Sequence, residues 1–222
     1  MNLGRVEIPF GAQNLIIESG KFAKQANGAV TVTYGGTVVL VATCMADKPK
    51  EGSDFFPLMV EYQEKTYAAG RIPGGFFKRE GRPTEKEILS ARVIDRPIRP
   101  LFPEGFFHEV QVVASVLSSD GEYDPDVLAV IGASAALSIS DIPFEGPLGA
   151  VRVGMVEGRF VINPTYKERD LSSIDLILVG HQDGLIMIEG EAGEVSEEKV
   201  IEAIHFGFQA LQAVRNIQLE LI

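Results

Sequence analysis

The 222-residue chain holds one cysteine, three histidines, and 20 Lys and Arg residues against 31 Asp and Glu. Each shortage excludes something. A single thiol, Cys44, rules out a disulfide framework, and within the apolar run Thr37 to Met45 it is expected to be buried and inert. His108, His181 and His205 lie too far apart in sequence for metal-ligand spacing, so core or surface roles are expected of them. No stretch reaches the ~18 consecutive apolar residues of a membrane span. Met1 to Arg5 lacks the apolar core of a signal peptide, so the expected location is cytoplasmic and free of membrane. No glycine run matches a nucleotide-binding fingerprint, and Ser134 sits in Gly-Ala-Ser-Ala rather than in a nucleophile elbow. A net charge of −11 also argues against nucleic-acid binding over the surface as a whole.

What is present is the composition of a soluble globular protein, 45% hydrophobic and 23% charged. The first third reads as β structure. Ala29 to Tyr34 alternates, Gly35-Gly36 turns, Thr37 to Met45 reads as a strand buried on both faces, and Pro57 to Tyr62 is a further strand. Ala68 to Pro83 is a Gly-, Pro- and base-rich loop of a length uncommon unless functional. Thr84 and Glu87 form a capping-box pattern, after which Ile88, Ala91 and Ile94 give a helix one apolar side until Pro97 stops it. Phe106 to Leu117 alternates again. Asp126 to Ser140 is a helix whose Gly132, Ala133, Ala135 and Ala136 permit close packing on a sheet. The break at Pro143 to Pro147 divides the chain into expected subdomains 1–142 and 143–222. Beyond it come a hairpin across Glu157-Gly158, strands at Ile174 to Val179 and Leu185 to Glu189, and a long helix capped by Ser196 with Val200, Ile204, Phe208, Leu211 and Val214 inward. Strands in runs with three spaced helices make a mixed α+β fold.

Charge is unevenly distributed. Arg71 to Arg99 holds eight basic and four acidic residues, a local +4 that leaves −15 for the remainder. Within it, Phe76, Phe77, Lys78, Arg79 and Arg82 set adjacent aromatics beside cations in a glycine-flanked loop. Aromatics stack on unpaired bases and cations contact phosphates, which suits single-stranded RNA. Arg92 and Arg96 share a helix face, with Arg99 just beyond. The alternative is that the Phe pair anchors the loop and the arginines pair with Asp95, Glu85 or Glu87. Asp183 to Glu202, with seven carboxylates and one lysine, reads as a solvated turn and helix start.

Two runs carry a family resemblance: Phe76 through Glu85 (FFKREGRPTE) and Ile94 through Pro103 (IDRPIRPLFP). Both closely resemble the first RNase PH-like core of bacterial polynucleotide phosphorylases, and the similarity extends over essentially the whole chain. The resemblance implies an RNase PH-like α+β fold in an enzyme that degrades RNA from its 3′ end with phosphate and releases nucleoside diphosphates. It implies a parent chain with two such cores and C-terminal KH and OB-type domains, of which this sequence matches one core. Three chains would form a homotrimer ring, with the Phe-Phe-basic loop lining the channel. The implied partners are single-stranded RNA and the second core, and the implied residues are Phe76, Phe77, Lys78, Arg79, Arg82, Arg92, Arg96 and Arg99.

The family's active second core uses a serine-rich phosphate turn and a magnesium site of two aspartates and a lysine. By the resemblance, Arg169 stands at the first Asp, Asp175 at the second and Ile177 at the Lys, while Asp120-Gly121-Glu122-Tyr123-Asp124 replaces the serine turn. Carboxylates there would repel phosphate. Mg2+ and inorganic phosphate are therefore expected in the second core, with no catalytic or metal residue in this one. Two other readings stand beside this: an independently active core using Asp175 with Glu168 or Asp170, and a purely structural assembly domain.

Overall fold

The computed structural model describes residues 3–76 and 78–222, so Phe77 lies outside the described residues. The chain opens with two strands that the sequence pattern leaves unassigned, β1 (Gly4–Phe10) and β2 (Gln13–Ser19). Leu15 and Ile17 of β2 are fully buried, the alternation that marks a half-covered strand. They continue through β3 (Gly28–Tyr34) and β4 (Thr37–Pro49) into β5 (Leu58–Glu64) and β6 (His108–Ser118). The resulting six-stranded sheet has the order β1-β2-β3-β4-β6-β5, antiparallel except for the β5/β6 pair.

The β4 strand is buried on one face only. Thr37, Val39, Val41 and Thr43 are inside, whereas Val38, Leu40 and Ala42 are half-buried. Cys44 falls on the outer face, opposite Gln111, and is exposed, so the expectation of a buried thiol is corrected. An apolar run does not reveal which residues face out; the two-residue period of the strand does.

Helix α1 (Glu85–Ile98) has the expected capping box, with Thr84 Oγ1 accepting from Glu87 N–H and Glu87 accepting from Thr84 N–H. The helix passes through Pro97 into a 3-10 turn at Arg99–Leu101 instead of stopping there. Its buried side is Ser90, Val93, Ile94, Pro97 and Ile98, while Ile88 is 52% exposed, so the apolar side is rotated from the expected one. Helix α2 (Asp126–Ser138) is buried around its whole circumference. It contacts β3, β4 and β6 on one side and β7 (Gly149–Val156) on the other, and a helix apolar on all sides belongs in such a position. Close approach depends on missing side chains: a Cβ at Gly132 would lie 2.5 Å from Val41 Cγ2, and one at Gly28 2.0 Å from the Ala136 carbonyl oxygen.

The second sheet, β10-β9-β7-β8, uses β8 (Arg159–Ile162), β9 (Ile174–Gly180) and β10 (Leu185–Ala192). Glu157 and Gly158 both take positive φ (50° and 75°) in the β7–β8 turn, as a two-residue hairpin requires. A short helix α3 (Tyr166–Asp170), not expected from the sequence, carries a second capping box, Thr165 with Glu168. The last helix, α4 (Glu197–Leu221), packs on β7 and β9. Ser196 holds its N-cap position, but the hydroxyl accepts no bond from the first turn. Where α2 and α4 meet, Ser134 Oγ donates to Gln218 Oε1 (2.8 Å) and accepts from Leu148 N–H (2.7 Å), and Gln218 Nε2 donates to Leu148 O (2.7 Å). Ser134 is thus a buried connector between elements.

Candidate nucleic-acid interface and charged cleft

The basic loop projects from the start of α1. Phe76 is 94% exposed, and Lys78, Arg79 and Arg82 are all exposed. Among the described residues none of those three cations forms an ion pair, which leaves their charge available to a phosphate. Lys78 takes φ +45°, and a Cβ placed at Gly74, Gly75 or Gly81 would meet nothing within 4 Å, so the loop stands clear of the body. The loop's acidic residue, Glu80, turns back to the body: Oε1 accepts from Thr66 N–H (2.6 Å) and Oε2 pairs with Lys65 (3.1 Å). The Thr66 bond, followed by the Lys65 contact, holds the Glu80 carboxyl below its ordinary range.

The arginines of α1 divide. Arg92 is exposed beside β5. Arg96 pairs with Glu189 of β10. Arg99 meets both Asp95 oxygens (3.0 and 2.6 Å), donates to the carbonyls of Phe56 (3.1 Å) and Leu58 (3.3 Å), and lies over the Phe56 ring. For Arg99 the ion-pairing alternative with Asp95 is what the structure shows. Its guanidinium is occupied in joining α1 to the strand below.

Lys86, in the first turn of the same helix, enters a cleft of about 600 Å3 between α1 and the second sheet, with Asp124, Tyr166, Arg169, Asp170 and Asp175 on its walls. Asp175 on β9 accepts from Arg152 Nη1 at 2.6 and 2.8 Å and from Arg169 Nε and Nη2 at 3.1 and 2.9 Å. Arg152 on β7 also reaches Asp126 at 2.6 Å, Arg169 reaches Asp124 at 2.9 Å, and Lys86 bridges Glu64 (2.8 Å) and Asp124 (3.4 Å). Lys86 and Arg169 also lie over the Tyr166 ring, 5.9 and 5.6 Å from its centre.

Burial alone would push the Asp124 carboxyl up, but Lys86, Arg152 and Arg169 outweigh it and hold it below the ordinary range. Asp126 is pushed up, because its burial exceeds the attraction of Arg152. Burial would likewise lower the Lys86 ammonium, yet Asp124 and Glu64 raise it.

This cleft corrects one part of the sequence-based expectation and adds to another. Within the acidic turn Asp120 and Asp124 are occupied, while Glu122 is exposed. Asp120 closes it by accepting from Gly36 N–H, Thr37 Oγ1 and Glu122 N–H, and Asp124 turns inward to three cations. Glu168 is held in its own capping box, which removes it as a partner for Asp175, whereas Asp170 does line the cleft. Arg152 and Asp126 escape the sequence pattern. The signal for them is a lone arginine in an apolar strand and a lone aspartate opening an apolar helix, two buried charges that must find each other.

The donor set does not fit a magnesium ion. Both oxygens of Asp175 already face guanidinium groups, which would repel a divalent cation, and the remaining carboxylates that Arg152 and Arg169 reach share them.

Residues 11–143 match the family model described as 3′ exoribonuclease family, domain 1, and residues 146–210 match domain 2 of the same family. The polyribonucleotide nucleotidyltransferase of Methylacidiphilum infernorum (isolate V4) is 56% identical over 96% of this chain and 30% of its own length. That of Gluconacetobacter diazotrophicus is 57% identical over 99% of this chain and 31% of its own. The chain therefore spans about 30% of the length of these relatives. Rice Rrp46 shares the fold with a TM-score of 0.70 at 17% identity, covering 98% of this chain and 93% of that one. A structure of the Archaeoglobus fulgidus exosome with RNA bound to the active site does so at 0.72 and 18%, covering 97% and 87%. With both domain models matched in order along the chain, the resemblance read from the two motif runs is borne out: the chain belongs to the 3′ exoribonuclease (RNase PH) family.

Proposed function

We propose that this chain is the RNA-holding, ring-forming first core of a phosphate-dependent 3′-to-5′ exoribonuclease active in mRNA degradation, and that it is itself catalytically silent. The observation that carries the reading is how its cations are divided. Lys78, Arg79 and Arg82 are exposed and unpaired by carboxylates among the described residues, whereas Lys86, Arg152 and Arg169 are bound to carboxylates in the cleft. A cation already paired has little left for a phosphate, and an unpaired one on a projecting loop has all of it. RNA is therefore assigned to Phe76, Phe77, Lys78, Arg79 and Arg82, with Arg92 beside them. Arg96 and Arg99 support the helix that carries the loop. Magnesium and phosphate chemistry belongs to a second core, in a homotrimer working in the cytoplasm. A division of this core into subdomains 1–142 and 143–222 is supported by its two sheets, one built from residues before the break at Pro143 and the other from residues after it.

The test has two arms. Incubating the chain with oligoadenylate, phosphate and magnesium is expected to release no nucleoside diphosphate. Release that Asp175→Ala abolishes would overturn the silent core. In the second arm, Lys78→Ala with Arg79→Ala is expected to weaken single-strand affinity and flatten the salt slope by about 0.7 for each phosphate left without its cation. An unchanged slope would favour a solvated structural loop.

A further inference from the structure

Both ends of the basic loop are fastened to one residue. The carbonyl of Thr66 accepts from Arg71 N–H (3.1 Å), and the N–H of Thr66 donates to Glu80 Oε1 (2.6 Å). Residues 71–80 thus form a closed loop whose neck is Thr66, in the 3-10 turn Thr66–Ala69. That turn is itself fixed to the sheet, since Ala68 O accepts from Ser119 N–H (3.0 Å), just past the end of β6. Lys65 approaches the other Glu80 oxygen. Lys78 and Arg79 are the two residues immediately before this tie.

Glu80 is at first sight misplaced. It is a carboxylate in a run with Arg71, Lys78, Arg79 and Arg82, on the surface assigned to a polyanion. Counted as charge alone it repels RNA, and its removal should tighten binding. Counted as a fastening it does the reverse: without it, Lys78 and Arg79 must be ordered when RNA binds instead of beforehand, and that ordering weakens affinity. The two accounts differ in sign.

We propose that Glu80 is a positioning residue for RNA, closing the neck of the loop on Thr66 so that Lys78 and Arg79 are held in place for the phosphates. This rests on the reading of the loop as the RNA-holding element. Glu80→Ala is expected to weaken binding of an oligoadenylate about tenfold, the size expected from two side chains ordered late. The salt slope stays that of the wild type, because the same cations still meet the same phosphates. Glu80→Gln keeps an acceptor for Thr66 N–H and is expected to bind at least as well as the wild type.

The clamp has a second readout that needs no RNA. Glu80→Ala should speed trypsin cleavage after Lys78 and Arg79 by local opening, at an unchanged thermal midpoint. Affinity of Glu80→Ala equal to or tighter than the wild type overturns the proposal. So does an unchanged cleavage rate, which would show that the neck holds without Glu80 and would leave the loop reading standing. Absence of RNA binding by the wild type overturns the loop reading and the positioning role with it, and faster cleavage in that case would leave Glu80 as a fold contact only.

Discussion

Replacing Arg152 with methionine tests the charged cleft most directly. Its side chain is 8% exposed and faces three carboxylates: Asp126 at 2.6 Å, Asp175 at 2.6 Å and Asp124 at 3.9 Å. Asp175 keeps Arg169, and Asp124 keeps Arg169 and Lys86. Among the described residues Asp126 keeps one hydrogen bond, from the N–H of Val127, and the more distant attraction of Lys86. The loss is thus concentrated on one buried carboxylate, the situation in which breaking an ion pair costs about 3–5 kcal/mol. At roughly 2–4 °C per kcal/mol for a chain of this size, the melting midpoint should fall by about 6–20 °C. The cost must also depend on pH. Arg152 is one of the groups that lower Asp124 and counter the upward push on Asp126. Without it Asp126 rises further, so its ionised form becomes more costly as pH rises, and the missing cation matters less as pH falls and carboxyl groups take up protons. A depressed carboxyl such as Asp124 stabilises the fold above its unfolded pKa and loses that as pH falls through the folded value; the raised Asp126 has the opposite sign. Urea unfolding of wild type and variant at about pH 7 and about pH 5 should show the larger difference at the higher pH. A loss under about 1 kcal/mol at neutral pH, or one that does not change with pH, would refute the account of Asp126 as the carboxylate left uncompensated.

Two further predictions concern the frame. Ser134→Ala leaves Gln218 Oε1 and Leu148 N–H buried without their partner, so urea unfolding should show a loss of about 2 kcal/mol. Gly28→Ala puts a methyl 2.0 Å from the Ala136 carbonyl and must move α2 off β3, lowering the thermal midpoint by the equivalent of about 1–3 kcal/mol, whereas Gly74→Ala, with open space around it, should leave that midpoint unchanged.

Local signals are legible in the sequence where one side chain decides one bond. Thr84 with Glu87 announces the start of α1, and Gly158 after Glu157 announces a hairpin, because Thr84 and Glu87 satisfy backbone groups and Gly158 adopts a backbone angle that few other residues can. The same capping pattern at Thr165 and Glu168 is easily passed over because the helix it opens is only five residues long. Burial is less legible. Ile88 and Val93 are equally apolar, and only the direction in which the helix meets β5 exposes one and buries the other. The basic loop is visible as composition. The pairing of Arg152 with Asp126 is not, since it joins residues 26 apart through a strand–helix contact that no local pattern encodes.

The two charge sets of this chain are joined by one helix. The loop enters α1 at its capped N-terminus, Lys86 follows within the first turn, and Arg96 reaches β10 near the far end. The helix is thus tied to Asp124 and Glu189 on the second sheet's side while it carries the loop at its tip. Buried ion pairs add little net stability compared with apolar packing, and their measurable effect is often to fix one arrangement over others. Here Asp126, Asp124 and Asp175 are held by Arg152 and Arg169, and those arginines join the second sheet to α2 and α3. These pairs, with those of Lys86 and Arg96, give α1 a fixed base from which it presents its loop.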